Sequence, residues 1–141
     1  MRYFTKEWYE LCQVYGRTFE RKKEAALKKQ MDGVSAAFQA ALKKENLPEG
    51  LWEKFYFHDG EIRDIQEGSD YILVVDSPFS AYHKVTFRDA AVKQDRIPVG
   101  AVWLYEELYR HALGYEAHIL CQKGRDLSDT KIICSEILFE E

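Results

Sequence analysis

The sequence predicts an α+β fold: two N-terminal helices packed on a curved, mostly antiparallel sheet of six to eight strands, curling toward a partly closed barrel. Three observations carry that expectation. Apolar residues recur at helical intervals up to residue 45, alternation takes over after residue 51, and Val99–Gln122 (VGAVWLYEELYRHALGYEAHILCQ) alternates along two arms joined by a short turn. With 141 residues, 46% of them apolar, the chain can fill one core, and it reads as one domain with a helical part at 1–46 and a sheet part at 51–141.

In order along the chain, Thr5 is a good N-cap, Phe4 can staple against Tyr9, and Trp8, Leu11, Cys12 and Tyr15 follow a helical stripe that Gly16 can stop. Thr18 is then expected to cap a second helix. Its stripe, Leu27, Met31, Val34, Phe38, Ala41 and Leu42, keeps phase through Gly33, although glycine costs about 1 kcal/mol against alanine. That predicts one helix of roughly 25 residues ending at the linker 46–50. Phe55 and Phe57 alternate with Tyr56 and His58, and Asp59-Gly60 suits a two-residue hairpin turn into a strand at 61–66. Residues 71–76 (YILVVD) read as a strand covered on both faces. Further strands are expected at 83–88 and 91–96, then the long hairpin, a loop at 124–129 and a last strand at 131–139.

In the hairpin's first arm Trp103, Tyr105, Glu107 and Tyr109 fall on one side, Leu104, Glu106 and Leu108 on the other. Placing Tyr109 opposite Tyr115 sets Glu107 against Ala117 and Glu106 against His118. A one-residue slip would turn one arm over.

Three cysteines at wide spacing, with no CxxC, fit reduced thiols in a cytosolic protein. No run approaches the roughly 18 to 20 apolar residues of a membrane span, and MRYFTKEW lacks the apolar stretch of a signal peptide. Residues 1–50 hold ten Lys/Arg against seven Asp/Glu, residues 51–141 ten against seventeen. The acidic half disfavours nucleic acid, and the run Arg21, Lys22, Lys23, Lys28, Lys29 reads as a solvated helix face, with Glu24 four residues before Lys28.

YFTKEWYE at 3–10, FHDG at 57–60, WLYEELY at 103–109 and GYEAHIL at 114–120 resemble an uncharacterised family of small Gram-positive bacterial proteins. The resemblance spans most of the chain and implies no activity, cofactor or site. A looser likeness, at the level of fold, is to bacterial immunity proteins, which neutralise toxins by binding them.

No phosphate loop, dinucleotide fingerprint, zinc-protease helix or nucleophile elbow is present, and no cofactor is implied. Three looser groups remain. His58, Asp59 and Glu61 could shuttle a proton or hold a metal, or simply form a tight turn. Glu106, Glu116 and His118 share a face under the register above and suit a divalent metal, an acid–base pair or a charge-paired surface. Glu107 lies among Trp103, Tyr105 and Tyr109 and could anchor a polar ligand in an aromatic pocket or meet an internal cation. His83 and His111 stand alone as surface residues. The leading expectation is a non-catalytic cytosolic binding protein whose partner is another protein, met by a sheet face or edge rich in Tyr and Glu. The alternatives are a small-ligand- or metal-dependent enzyme using the acid and histidine clusters, and a carrier of apolar ligands.

Overall fold

The structure, a computed structural model, describes residues 1–141. Helix α1 (Lys6–Gly16) begins where Thr5 accepts a hydrogen bond from the Trp8 amide, as its N-cap position requires. Helix α2 (Arg21–Glu45) runs unbroken through Gly33 and stops at Asn46, which takes the left-handed conformation at φ 49°. Thr18 does not cap α2. Its hydroxyl donates to the Val14 carbonyl at 2.7 Å, closing the end of α1. The Phe4 ring meets Trp8 and Phe38 at 4.9 Å, so the expected staple to Tyr9 is made one residue earlier.

A short helix, α3 (Leu51–Lys54), follows, and residues 55–58 are not the expected strand. Phe55 and Phe57 are both wholly buried in the core, so their alternation reflects two rings plugged into the sheet. Asp59-Gly60 is not a hairpin turn either. The Gly60 amide donates back to the Phe57 carbonyl, and a side chain at Gly60 would lie 2.6 Å from Val75.

The eight strands are β1 (Gly60–Glu67), β2 (Tyr71–Asp76), β3 (Lys84–Arg88), β4 (Ala91–Gln94), β5 (Val102–His111), β6 (Gly114–Lys123), β7 (Asp126–Cys134) and β8 (Glu136–Glu140). They form one antiparallel sheet in the order β4-β7-β6-β5-β1-β2-β3-β8, with β4 and β8 at its margins. The sheet is curled but not closed into a barrel. Each margin strand continues, past a bend, a strand already paired inside: β3 runs into β4 at Asp89-Ala90, and β7 into β8 at Ser135. The loop expected at 124–129 is only a turn at Gly124-Arg125, so β7 starts five residues early. The curled sheet wraps a core of 18 buried residues that includes Trp103, Leu73, Phe87, Ile119 and Ile132.

The long hairpin forms as expected, with its register shifted. Tyr109 faces Glu116, Glu107 faces His118 and Glu106 faces Ile119, while a bulge between Trp103 and Tyr105 inserts an extra residue in β5. A bulge reverses the in–out phase of the residues beyond it. Trp103, Glu106 and Leu108 therefore point to the core side, while Glu107 and Tyr109 lie on the opposite face with Glu116 and His118. Gly114 closes the hairpin at φ 137°, where an added Cβ would sit 2.5 Å from the Cys134 carbonyl oxygen.

Candidate functional site

β5 pairs with β1 over two positions only, Gly60 with Trp103 and Glu61 with Val102, before the strands part. Beyond Trp103 the edge of β5 is held by other parts of the chain. His58 bonds the Leu104 carbonyl through Nδ1, and Arg110 bonds the carbonyls of Glu45 and Asn46 at the end of α2. A cleft of about 340 Å³ opens at this seam, lined by Phe4, Gln39, Trp52, Tyr56, His58, Tyr105 and Glu106.

Glu106 is the unusual group in that wall. Its side chain comes from the core side of β5, the residue is 6% exposed, and its one hydrogen bond is from Trp103 Nε1 to Oε2 at 3.2 Å. Oε1 has no partner within the chain. Burial pushes this carboxyl up to about 8, against a smaller downward pull from the Trp103 indole, so the group is largely protonated at neutral pH. A carbonyl can only accept, so the bond to Leu104 places a proton on His58 Nδ1. Nε2 faces Asp59 at 3.6 Å. The imidazole lies among rings, stacked with Tyr56 at 6.1 Å and 5.4 Å from Tyr105.

On the other face of β5 and β6, Glu107, Glu116 and His118 form a second polar group, which receives the N-terminal residues. The Glu107 carboxylate accepts from the amides of Arg2, Tyr3 and Phe4 at 2.7–2.9 Å and from the Tyr109 hydroxyl at 2.6 Å. Arg2 bonds Glu116 at 2.8 Å and lies over the Tyr109 ring at 3.8 Å. The Met1 ammonium reaches Asp129 and donates to His118 Nδ1 at 2.9 Å, which leaves Nε2–H to donate to Glu116. Burial lowers the His118 pKa, with the Met1 charge adding to it against the pull of Glu116. Burial alone would raise Glu116, but the bonds from His118 and Arg2 outweigh it and bring the carboxyl down to about 2.

Both shifts make the anchor sensitive to acid. A histidine kept neutral in the native state loses ground as pH falls below 6.5, where the unfolded chain takes up its proton. The Glu116 contribution, complete above 4.5, is lost toward about 2. Acidification from pH 7 to 4 is therefore expected to lower the amide protection factors at residues 2–4, taken against the intrinsic exchange rate at each pH, before those of the strands β5 and β6 fall. Relative to the parent, His118→Gln should gain stability as pH falls from 6.5 to 5, read from the difference in urea midpoints, and a difference independent of pH would contradict this assignment.

The structure thus divides the groups expected from the sequence. Glu116 and His118 come together, with Glu107 in the place expected for Glu106, which lies on the opposite face. His58 and Asp59 are adjacent at the mouth of the cleft, and Glu61 pairs with Arg63 instead. Of the four residues expected to line an aromatic pocket, Tyr105 does so in the cleft, Trp103 is in the core, and Glu107 and Tyr109 are covered by residues 1–4. No three His, Cys, Asp or Glu side chains converge in a way that could hold a metal ion. Cys12, Cys121 and Cys134 are all free thiols. No helix is long and apolar enough to cross a membrane.

Residues 16–126 match a family described as "Protein of unknown function (DUF4085)". The chain belongs to this family. The matched span includes FHDG, both hairpin motifs and the DUF4085 chain's cleft residues from Gln39 to Glu106, but not Phe4 or the opening YFTKEWYE. No curated protein and no solved structure matches the chain.

Phe4, Gln39, Trp52 and Tyr56 carry no chemical motif and join the cleft only through tertiary packing. One signal for Glu106 does lie in the sequence. Adjacent glutamates in the middle of a strand covered on both faces place one carboxyl on each side, whatever the register.

Proposed function

We propose that this protein is a non-catalytic binding protein of the bacterial cytosol that holds a small ligand in the cleft between α2, α3 and β5. The observation that carries the reading is Glu106, a nearly buried carboxyl with an unpartnered oxygen in the wall of an open, aromatic-lined cleft. Burying such a group lowers stability unless something binds it, and sites that sacrifice stability in this way are where ligands act. Binding without chemistry is favoured because the polar groups are engaged elsewhere, His58 with Leu104 and Asp59, Glu106 with Trp103, and not with each other as an acid–base pair. The free cysteines support a reducing compartment.

The test is ligand-observed and protein-observed NMR with a library of small amines, alcohols and carboxylates, run on the parent and on Gln39→Trp. Gln39 is exposed on α2, so the indole should obstruct the cleft without entering the core. The expected result is saturable shifts at Tyr56, His58 and Tyr105 that Gln39→Trp abolishes. Silence across the library, or binding indifferent to the substitution, would remove the reading. A protein partner is the second reading, favoured by Tyr56 and Phe79, which are 46% and 61% exposed and both lie beside His58.

A further inference from the structure

We propose that the ligand of this cleft is an organic cation with a substituted ammonium head group, held by Glu106 and enclosed by the rings of Phe4, Trp52, Tyr56 and Tyr105. The inference rests on the cleft being a ligand site and adds the chemistry of what it takes. Four aromatic rings line the cleft, and the electron-rich face of a ring attracts a cation by about 0.5–2 kcal/mol when well placed. A carboxyl with a free oxygen in the same cleft lining supplies the opposite charge once ionised. The sheet part adds a long-range preference of the same sign, with seventeen Asp/Glu against ten Lys/Arg.

The other ligand classes fit less well. An anion would meet Glu106 with no lysine or arginine in the lining. A neutral apolar molecule would seal off the unpaired oxygen and leave it without either water or a partner. A cation satisfies Oε1 and covers the rings together. Its N-substituents would rest on Trp52, which itself packs against Phe38 and Phe55, and on Tyr105, which is held by Phe4 and Trp8.

Such a ligand must displace a proton. The groups facing Glu106 are the Trp103 indole on β5, the Cys121 thiol on β6, and His58, Tyr56 and Tyr105 around the cleft. None of these carries a fixed positive charge, so the incoming cation is what stabilises the carboxylate. Affinity should therefore rise about tenfold per pH unit up to the carboxyl's own pKa of about 8, then level off.

The test compares choline with its neutral isostere 3,3-dimethylbutan-1-ol by NMR titration at pH 6, 7 and 8, on the parent and on Glu106→Gln. Choline is expected to bind about tenfold or more tightly than the alcohol in the parent, and to lose that advantage and its pH dependence in Glu106→Gln. Equal or tighter binding of the alcohol would overturn the cation inference and leave the cleft as a ligand site. Choline binding unchanged by Glu106→Gln would overturn it in the same way. Silence with both probes, while other library members bind the cleft, would reject the cation alone. Silence throughout would reject the ligand site as well. The amide signals of the β-sheet, unchanged in the variant, show that it is folded.

Discussion

Glu106→Gln is expected to make the protein more stable, by about 2 kcal/mol at pH 7.5, with a margin that grows with pH. The parent buries a carboxyl whose pKa rises from 4.5 to about 8 on folding. A group that binds its proton more tightly in the native state favours that state only while protonated. Between pH 4.5 and 8 the unfolded chain is ionised and the native chain is not, so parent stability falls by about 1.4 kcal/mol per unit across that window. Below 4.5 both states are protonated, the ionisation difference vanishes and only the cost of the glutamine amide remains, so the variant should be the less stable protein there. Glutamine keeps an oxygen for Trp103 Nε1 and has nothing to ionise, although its amide hydrogens face the cleft unpaired and reduce the gain. Urea midpoints of both proteins from pH 4 to 9 provide the measurement. A variant less stable throughout, or a difference independent of pH, would show that the carboxyl is not destabilising. Stabilisation accompanied by loss of binding is the pattern of a group kept for function.

Glu107→Ala is expected to act in the opposite direction and to cost about 4 kcal/mol. This carboxylate is wholly buried and takes four hydrogen bonds, three from consecutive amides at Arg2, Tyr3 and Phe4 and one from Tyr109. Alanine leaves all four donors without an acceptor, and each unpaired buried donor costs about 1–3 kcal/mol where it cannot reach water. The N-terminal residues can partly escape by detaching, which limits the loss. Detachment has its own cost, because Phe4 leaves Phe38 and Tyr105 and opens one wall of the cleft. Chemical denaturation should show the lowered midpoint, and amide exchange should locate the change at residues 2–4. Glu107→Ala with parental stability and parental protection at those amides would mean that the anchor contributes nothing. The neighbouring glutamates thus have opposite expected effects, because one has four donors and the other has one.

Much of the architecture is legible from periodicity. The phase of Leu27, Met31, Val34, Phe38 and Leu42 continues through Gly33, and α2 does the same, because no neighbour comes within 4 Å of where a Cβ would be. The alternation of 99–122 is a hairpin because side chains on a strand must alternate. Phe55 and Phe57 show the limit of that logic. Two rings spaced two apart look like a strand, but here they are the plug of a curled sheet that they do not join.

The candidate site is legible only in part. His58, Tyr105 and Glu106 stand out as residue types, yet spacing alone sets them in three different groups. What joins them is the single bulge after Trp103, together with the parting of β1 from β5. Neither has a marker in the local sequence. A bulge is selected by how a sheet must twist to fit its neighbours, and those neighbours are distant along the chain.

By itself the sequence determined the element types, their order, the hairpin and the presence of two adjacent acids that could not both face water, since these follow from side-chain spacing along one strand or helix. Which acid has partners and which opens on a cleft was decided by tertiary structure. The physical reason is that desolvation and hydrogen bonding depend on what packs against a residue: residues 1–4 satisfy Glu107, while the seam beside β5 leaves an oxygen of Glu106 unpaired.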